Sequence, residues 1–217
     1  MFRSLFDFLL PAEVIIAEAE HFETRYGLRY DEPLIRLRVL DRALQSELGV
    51  PVSDVSIPLS QVKMLPWCDV VVIIAENKMN FLTLPECRAV GIWGAGNAAA
   101  VLRTIPWLKT CRILYWGDID VHGFHILSAL RRAFPHVESV MMDRSTLAEF
   151  TDFAVAAKPA LTEETAGLVG DELALCAHVR SRGFLLEQEK IPAAYASSRI
   201  LALVAGSSML RQRSSCS

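Results

Sequence analysis

Val70-Val71-Val72-Ile73-Ile74-Ala75 is an unbroken apolar run made almost wholly of β-branched residues. A strand that is apolar on both faces must be covered on both faces, which is the situation of a parallel sheet between two layers of helix. The next seventy residues keep that rhythm. Ala89–Trp93, Arg112–Trp116 and Val137–Met142 read as three further strands. Between the second and third, a Gly94-Ala95-Gly96 turn leads into Asn97-Ala98-Ala99-Ala100-Val101-Leu102-Arg103, a helix former with Asn97 as N-cap. Between the third and fourth, Phe124, Leu127 and Leu130 recur at helical spacing and the helix ends near Phe134-Pro135. Strands alternating with short helices imply right-handed βαβ units, and so an α/β fold with a four-stranded parallel sheet.

The flanks read differently. Pro11 to Leu48 predicts two helices, one through Val14, Ile15, Ala17 and Ala19, the other through Leu34, Leu37, Leu40, Leu44 and Leu48. Gly27 and Asp31-Glu32-Pro33 separate them, and residues 51–66, with three prolines, read as a connector. Residues 145–217 look mostly helical. The expected division is a helical N-terminal extension and connector over 1–65, an α/β core over 66–150, and a helical C-terminal region over 151–217 packed on that core.

Composition narrows the class without naming it. The 217 residues are 52% hydrophobic and 22% charged, which excludes a disordered or collagen-like chain. The net charge of −3 gives no whole-molecule attraction for nucleic acid, so a polyanion must be met by a local patch, a metal or a partner. The five cysteines are odd in number and lack C-x-x-C spacing, which points to reduced thiols in a cytoplasm. No apolar run reaches the roughly 18–20 residues that span a bilayer. The opening Met1–Ala12 is read as a packed helix or an exposed stump, not a signal peptide.

Three acids stand where an open parallel sheet binds ligands, beyond the carboxyl ends of its strands. Glu76 follows the first strand directly, and Asp118 and Asp120 follow the third. On extended chain an Asp-x-Asp pair sends both side chains to one side, with Glu76 facing them from the neighbouring strand. Three carboxylates that close repel one another unless a cation lies between them, and oxygen-only ligation suits Mg²⁺ or Mn²⁺. The chemistry this favours is phosphoryl transfer or phosphodiester cleavage. Neither a G-x-x-x-x-G-K-[ST] loop nor a G-x-G-x-x-G fingerprint is present, which counts against a nucleotide-binding phosphotransferase.

With Glu76-Asn77 after the first strand, the G-x-G turn, and Tyr115-Trp116-Gly117-Asp118-Ile119-Asp120-Val121-His122-Gly123, the sequence resembles a Toprim domain, the Rossmann-like metal-binding fold of topoisomerases, primases and some nucleases. More narrowly, Glu76–Leu82, Tyr115–Asp120, Met141-Met142-Asp143 and Leu186-Glu187-Gln188-Glu189 resemble the JetD family, the nuclease subunit of the Wadjet anti-plasmid system, related to the A subunit of topoisomerase VI. The resemblance covers roughly residues 20–195. It implies that residues 66–150 are the Toprim core, that Glu76, Asp118 and Asp120 are catalytic and hold Mg²⁺ (or Mn²⁺), and that Gly123 keeps the turn tight. It further implies a metal-dependent endonuclease acting on double-stranded plasmid DNA beside an SMC-type, condensin-like complex, with a homodimer as a further expectation and no membrane. Members of this group carry arms and a DNA-binding region ahead of the Toprim part, so a chain with only residues 1–65 there is read as a C-terminal portion or a natural short form. The alternative is a non-catalytic dimerisation or docking module of a topoisomerase VI A-like DNA-binding complex.

The nucleophile is expected to be water rather than a tyrosine, because Tyr115 lies inside a strand and reads as core. Asp143, Lys78, His122 and Glu187 are accessory candidates. Beside each stands a plainer reading. Asp143 is also placed as an N-cap before Ser145, Glu187 as a surface acid, and Lys78 as a solvated lysine. His122 and His125 lack the third ligand that zinc would need. Trp67, Trp93, Trp107 and Trp116 read as core, and Arg131-Arg132 as partners of a helix C-terminus.

Overall fold

A computed structural model describes residues 2–19, 21–96, 98–157 and 165–214. Asn97, expected to be an N-cap, lies outside the described residues. In chain order the elements begin with α1 (Phe2–Leu9), α2 (Phe22–Arg25), β1 (Leu34–Val39), α3 (Arg42–Glu47), β2 (Asp54–Pro58) and α4 (Leu59–Lys63). The central units are β3 (Val71–Ala75), α5 (Lys78–Leu82), β4 (Val90–Trp93), α6 (Ala98–Leu102), β5 (Arg112–Trp116), α7 (Val121–Ala133) and β6 (Glu138–Ser139). The chain ends with α8 (Arg144–Glu149), β7 (Val155–Ala156), α9 (Gly170–Arg182), β8 (Phe184–Leu185) and α10 (Ala193–Ser214).

Six strands form one sheet in the order β2-β1-β4-β3-β5-β6. The four strands expected from the sequence are present, adjacent and mutually parallel. The sheet is nevertheless not four-stranded and not wholly parallel. Antiparallel β1 pairs with β4, and β2 pairs with β1. The added strands come from the N-terminal extension, β1 from an expected helix and β2 from the expected connector.

The reason is an ambiguous period. Leu34, Leu37, Leu40 and Leu44 fit a helix, but Leu34-Ile35-Arg36-Leu37-Arg38-Val39 also alternates with period two. The structure takes the second reading: Ile35, Leu37 and Val39 are buried. Arg36 pairs with Asp54 on β2 at 2.8 Å, and Arg38 donates to the carbonyls of Phe81 and Leu82. Asp41 then accepts from Leu44 N at 2.7 Å and starts α3 as an N-cap. Residues 51–66 are likewise not a bare connector, because β2 and α4 lie within them, with Pro58 tolerated at the end of an edge strand. Around Val14 only a single 3-10 turn, Ala12–Val14, forms.

β3 is buried along its whole length, and so are Ile113, Leu114 and Tyr115 on β5. Each fully buried Ile or Leu removes enough apolar area to stabilise the fold by about 1.5–3 kcal/mol. Phe124, Leu127 and Leu130 of α7 lie under the sheet with no exposure. Trp67, Trp107 and Trp116 are core, as expected, and Trp67 packs edge-on against Trp107. The C-terminal part is mostly helical, with a small β7-β8 pair. Among the described residues no two cysteines form a disulfide, and burial holds the Cys87 thiol up at about 11. No helix among them is long and apolar enough to cross a membrane.

Strand order places the ligand crevice. The chain leaves β3 toward β4 on one side, and leaves β5 toward β6 on the other. Between the carboxyl ends of β3 and β5 the connections diverge, and in such sheets that gap is where ligands bind.

Candidate active site

Glu76, Asp118 and Asp120 stand at that gap. Ala75 is level with Trp116 across the β3-β5 pair, so both strands end at the same height. Ile74 and Tyr115 are also level, which puts Tyr115 and Glu76 diagonally on one face of the sheet. The Tyr115 hydroxyl donates to Glu76 Oε2 at 2.9 Å. Tyr115 is thus a core residue, as its place in the strand implies, and also the donor that orients the first acid.

Beyond β5 the chain stays extended. Ile119 forms an antiparallel bridge with Leu186, its N–H donating to Leu186 O at 3.0 Å and its carbonyl accepting at 3.2 Å. Ile119 is buried, so Asp118 and Asp120 on either side of it face the other way together. Asp118 Oδ1 accepts from Gln188 N at 2.7 Å. Asp120 caps α7, its Oδ1 accepting from Gly123 N at 2.6 Å. Each of the three carboxylates therefore has one oxygen held by a protein donor. A Cβ on Gly123 would lie 2.2 Å from Asp118 O, so only glycine lets α7 start this close to the acid loop.

The electrostatics record the crowding. Burial raises the Glu76 carboxyl above its ordinary range, with Asp120 pushing the same way and the Tyr115 bond and His122 pulling against them. Asp118 is pushed up to about 6, first by burial and then by Glu76, Asp120 and Glu187, against the Gln188 bond. Burial also lifts Tyr115 well above the phenol range, and Glu76 adds to it. Among the described residues neither Glu76 nor Asp118 forms an ion pair with a lysine or arginine. Nor, among those residues, do three or more His, Cys, Asp and Glu side chains close into a preformed metal cluster. The donors are hard oxygens in an open crevice, which fits Mg²⁺, an ion usually held by one or two carboxylates and several waters.

The accessory candidates separate. Asp143 accepts from Thr146 N at 2.8 Å and from the Ser145 and Thr146 hydroxyls, with Arg199 at 3.7 Å, so its contacts are those of the N-cap of α8. Lys78 lies over the Trp93 ring at 5.5 Å, and Trp93 donates to the Glu76 carbonyl at 3.1 Å. His122 stands at the start of α7, close enough to pull the Glu76 carboxyl down. Glu187 raises Asp118 and approaches Lys190 at 3.9 Å.

Gln188 is the residue that sequence reasoning passed over. It is wholly buried. Its Nε2 donates to Trp116 O at 2.7 Å, and its Oε1 accepts from Asn80 Nδ2 at 3.2 Å and from Asn77 N at 3.4 Å. Neighbouring Glu189 accepts from Asn77 Nδ2. The clue was present in Leu186-Glu187-Gln188-Glu189, where an amide lies between acids in a chain segment with no regular pattern.

Taken together these features define an α/β protein with a mostly parallel sheet and an acidic crevice at its topological switch point. The family model for the Wadjet protein JetD, C-terminal, matches residues 27–200, and the chain belongs to that family. A comparison with curated proteins gives no match.

Proposed function

We propose that this chain is the Toprim-type nuclease module of a JetD-like subunit, cleaving double-stranded DNA by metal-dependent phosphodiester hydrolysis. The carrying observation is the placement of Glu76, Asp118 and Asp120 at the mouth between β3 and β5, each with one oxygen tied to the protein. Asp118 and Asp120 would hold Mg²⁺ or Mn²⁺, with Glu76 as a further ligand or as the base for water. When bound, the ion supplies charge stabilisation for the attacking and leaving oxygens. Tyr115 orients Glu76, and the Gln188 backbone orients Asp118. Burial raises the Glu76 carboxyl, which makes it a better proton acceptor from water than an ordinary carboxylate. Family membership supports a setting in Wadjet plasmid defence, with an SMC-type complex and plasmid DNA as partners.

The test is nicking and linearisation of supercoiled plasmid with Mg²⁺ or Mn²⁺. Wild type is expected to cut, and Glu76→Gln and Asp118→Asn to lose at least about 100-fold of the rate, the scale of a missing acid–base or electrostatic group. Equal cutting by all three would reject the assignment. One observation favours the docking reading instead: Phe2, Leu5, Phe8 and Leu9 of α1 are exposed. Metal-dependent cleavage by wild type would eliminate that reading as the sole role.

A further inference from the structure

A groove of about 870 Å³ lies between α6 and α7 and is lined by Arg103, Lys109, His122, His125 and Arg132. Among the described residues no aspartate or glutamate lines it, although acids outnumber lysines and arginines in the chain as a whole. These side chains come from three places in the fold. Arg103 follows α6, Lys109 lies in the 3-10 turn Pro106–Thr110 before β5, and the rest share one face of α7 at positions 122, 125, 129 and 132 with Ala129. Arg103 and Lys109 are exposed, and among the described residues neither is in an ion pair. The adjacent arginines of α7 are divided in role. Arg131 is bound to Val137 O, Gly167 O and Glu172, and Arg132 lines the groove.

His122 joins the groove to the acid loop: it lines the groove and follows Asp120 by two residues, while Glu76, Asp118 and Asp120 lie outside the lining. From His122 to Arg132 the helix rises about 15 Å. That length matches about four base-pair steps at 3.4 Å each. We propose that this groove holds the phosphodiester backbone of duplex DNA beside the bond to be cut, with Arg103, Lys109 and Arg132 as phosphate contacts. The inference rests on the nuclease reading for its ligand and supplies the electropositive track that a chain of net −3 otherwise lacks. Phosphate contacts of this kind position a duplex without reading its sequence.

The test is anisotropy of a short labelled DNA duplex in EDTA, so that no cleavage intervenes, across about 50–200 mM salt. The Arg103→Glu/Lys109→Glu double variant is expected to bind at least tenfold more weakly. Its slope of log K against log salt is expected to fall by about two, one for each lost phosphate contact. The Arg29→Glu/Arg42→Glu double variant, an equal charge change at exposed positions outside the groove, is expected to leave both nearly unchanged. A double variant with wild-type thermal unfolding, affinity and salt slope would overturn the proposal. So would a wild type that ignores the duplex but saturates with pyrophosphate, which marks a small-anion pocket, or one that prefers an RNA duplex. The plasmid assay keeps the two readings apart. Asp118→Asn that still cuts, with the double variant unable to bind, sinks the acidic site and leaves the groove. Undiminished binding and cutting by the double variant, with Asp118→Asn inactive, does the reverse.

Discussion

At the residue scale, the site depends on small groups placed against backbone. Gly123 has no room for a methyl group, because the obstacle is the Asp118 carbonyl rather than a flexible side chain. Gly123→Ala is expected to destabilise the fold by about 1–3 kcal/mol, the usual penalty for overpacking, which urea unfolding would measure. Tyr115 plays a subtler part. Its hydrogen bond lowers the Glu76 carboxyl against the upward push of burial. Tyr115→Phe is therefore expected to move the Glu76 titration to higher pH, read from the ¹³C shift of the Glu76 carboxyl carbon. A titration that stays in place or moves down would refute the orienting role.

At the scale of elements, the crevice is assembled by a segment remote in sequence. The stretch from Leu186 to Glu189 bridges to Ile119, caps Asp118 with the Gln188 N–H and bonds the Trp116 carbonyl and α5 through the Gln188 side chain. The C-terminal region thus forms one wall of the site. Gln188→Ala removes a buried amide, takes from the Asn80 amide its Gln188 acceptor and leaves the Trp116 carbonyl with the weaker Glu76 N–H bond at 3.2 Å. It is expected to destabilise by about 1–3 kcal/mol, the usual cost of leaving buried polar groups unsatisfied. Hydrogen exchange is expected to quicken at Ile119 and Leu186 first, since their mutual bonds join the two segments.

For the whole molecule, the crowded acids couple stability to pH. The Asp118 carboxyl sits at about 6 in the folded chain, above its ordinary 3.8. Between those values the native state holds more protons than the unfolded state, so stability rises as pH falls through 6 toward 4. The destabilising contribution is fully present above about pH 6. In EDTA, wild type is expected to gain stability on going from about pH 7 to pH 5, and Asp118→Asn to gain less. Equal pH slopes in chemical denaturation would contradict this. Above pH 6, where the acids repel, added Mn²⁺ is expected to raise the melting temperature. At about 100 times its dissociation constant, a ligand of the native state alone adds about 2.7 kcal/mol.

Several features were legible in the chain because they depend on near neighbours. The β-branched run at 70–75 could only be a doubly covered strand, and the spacing of the next three strands carried the parallel core. The period-two rule carried the common facing of Asp118 and Asp120, and the burial of Ile119 between them agrees with it. Leu34–Val39 was not legible, because its leucines fit helix and strand alike until β4 and β2 offered edges to pair with. Gln188 was not legible either, because its partners lie some seventy and a hundred residues away, at Trp116, Asn80 and Asn77. The groove of Arg103, Lys109 and Arg132 belongs to the same class. Sequence alone determined the four parallel strands and the acids at their ends, through local period and residue type. Only the packing of distant segments decided what faces those acids, because burial and hydrogen-bond satisfaction are properties of the assembled chain.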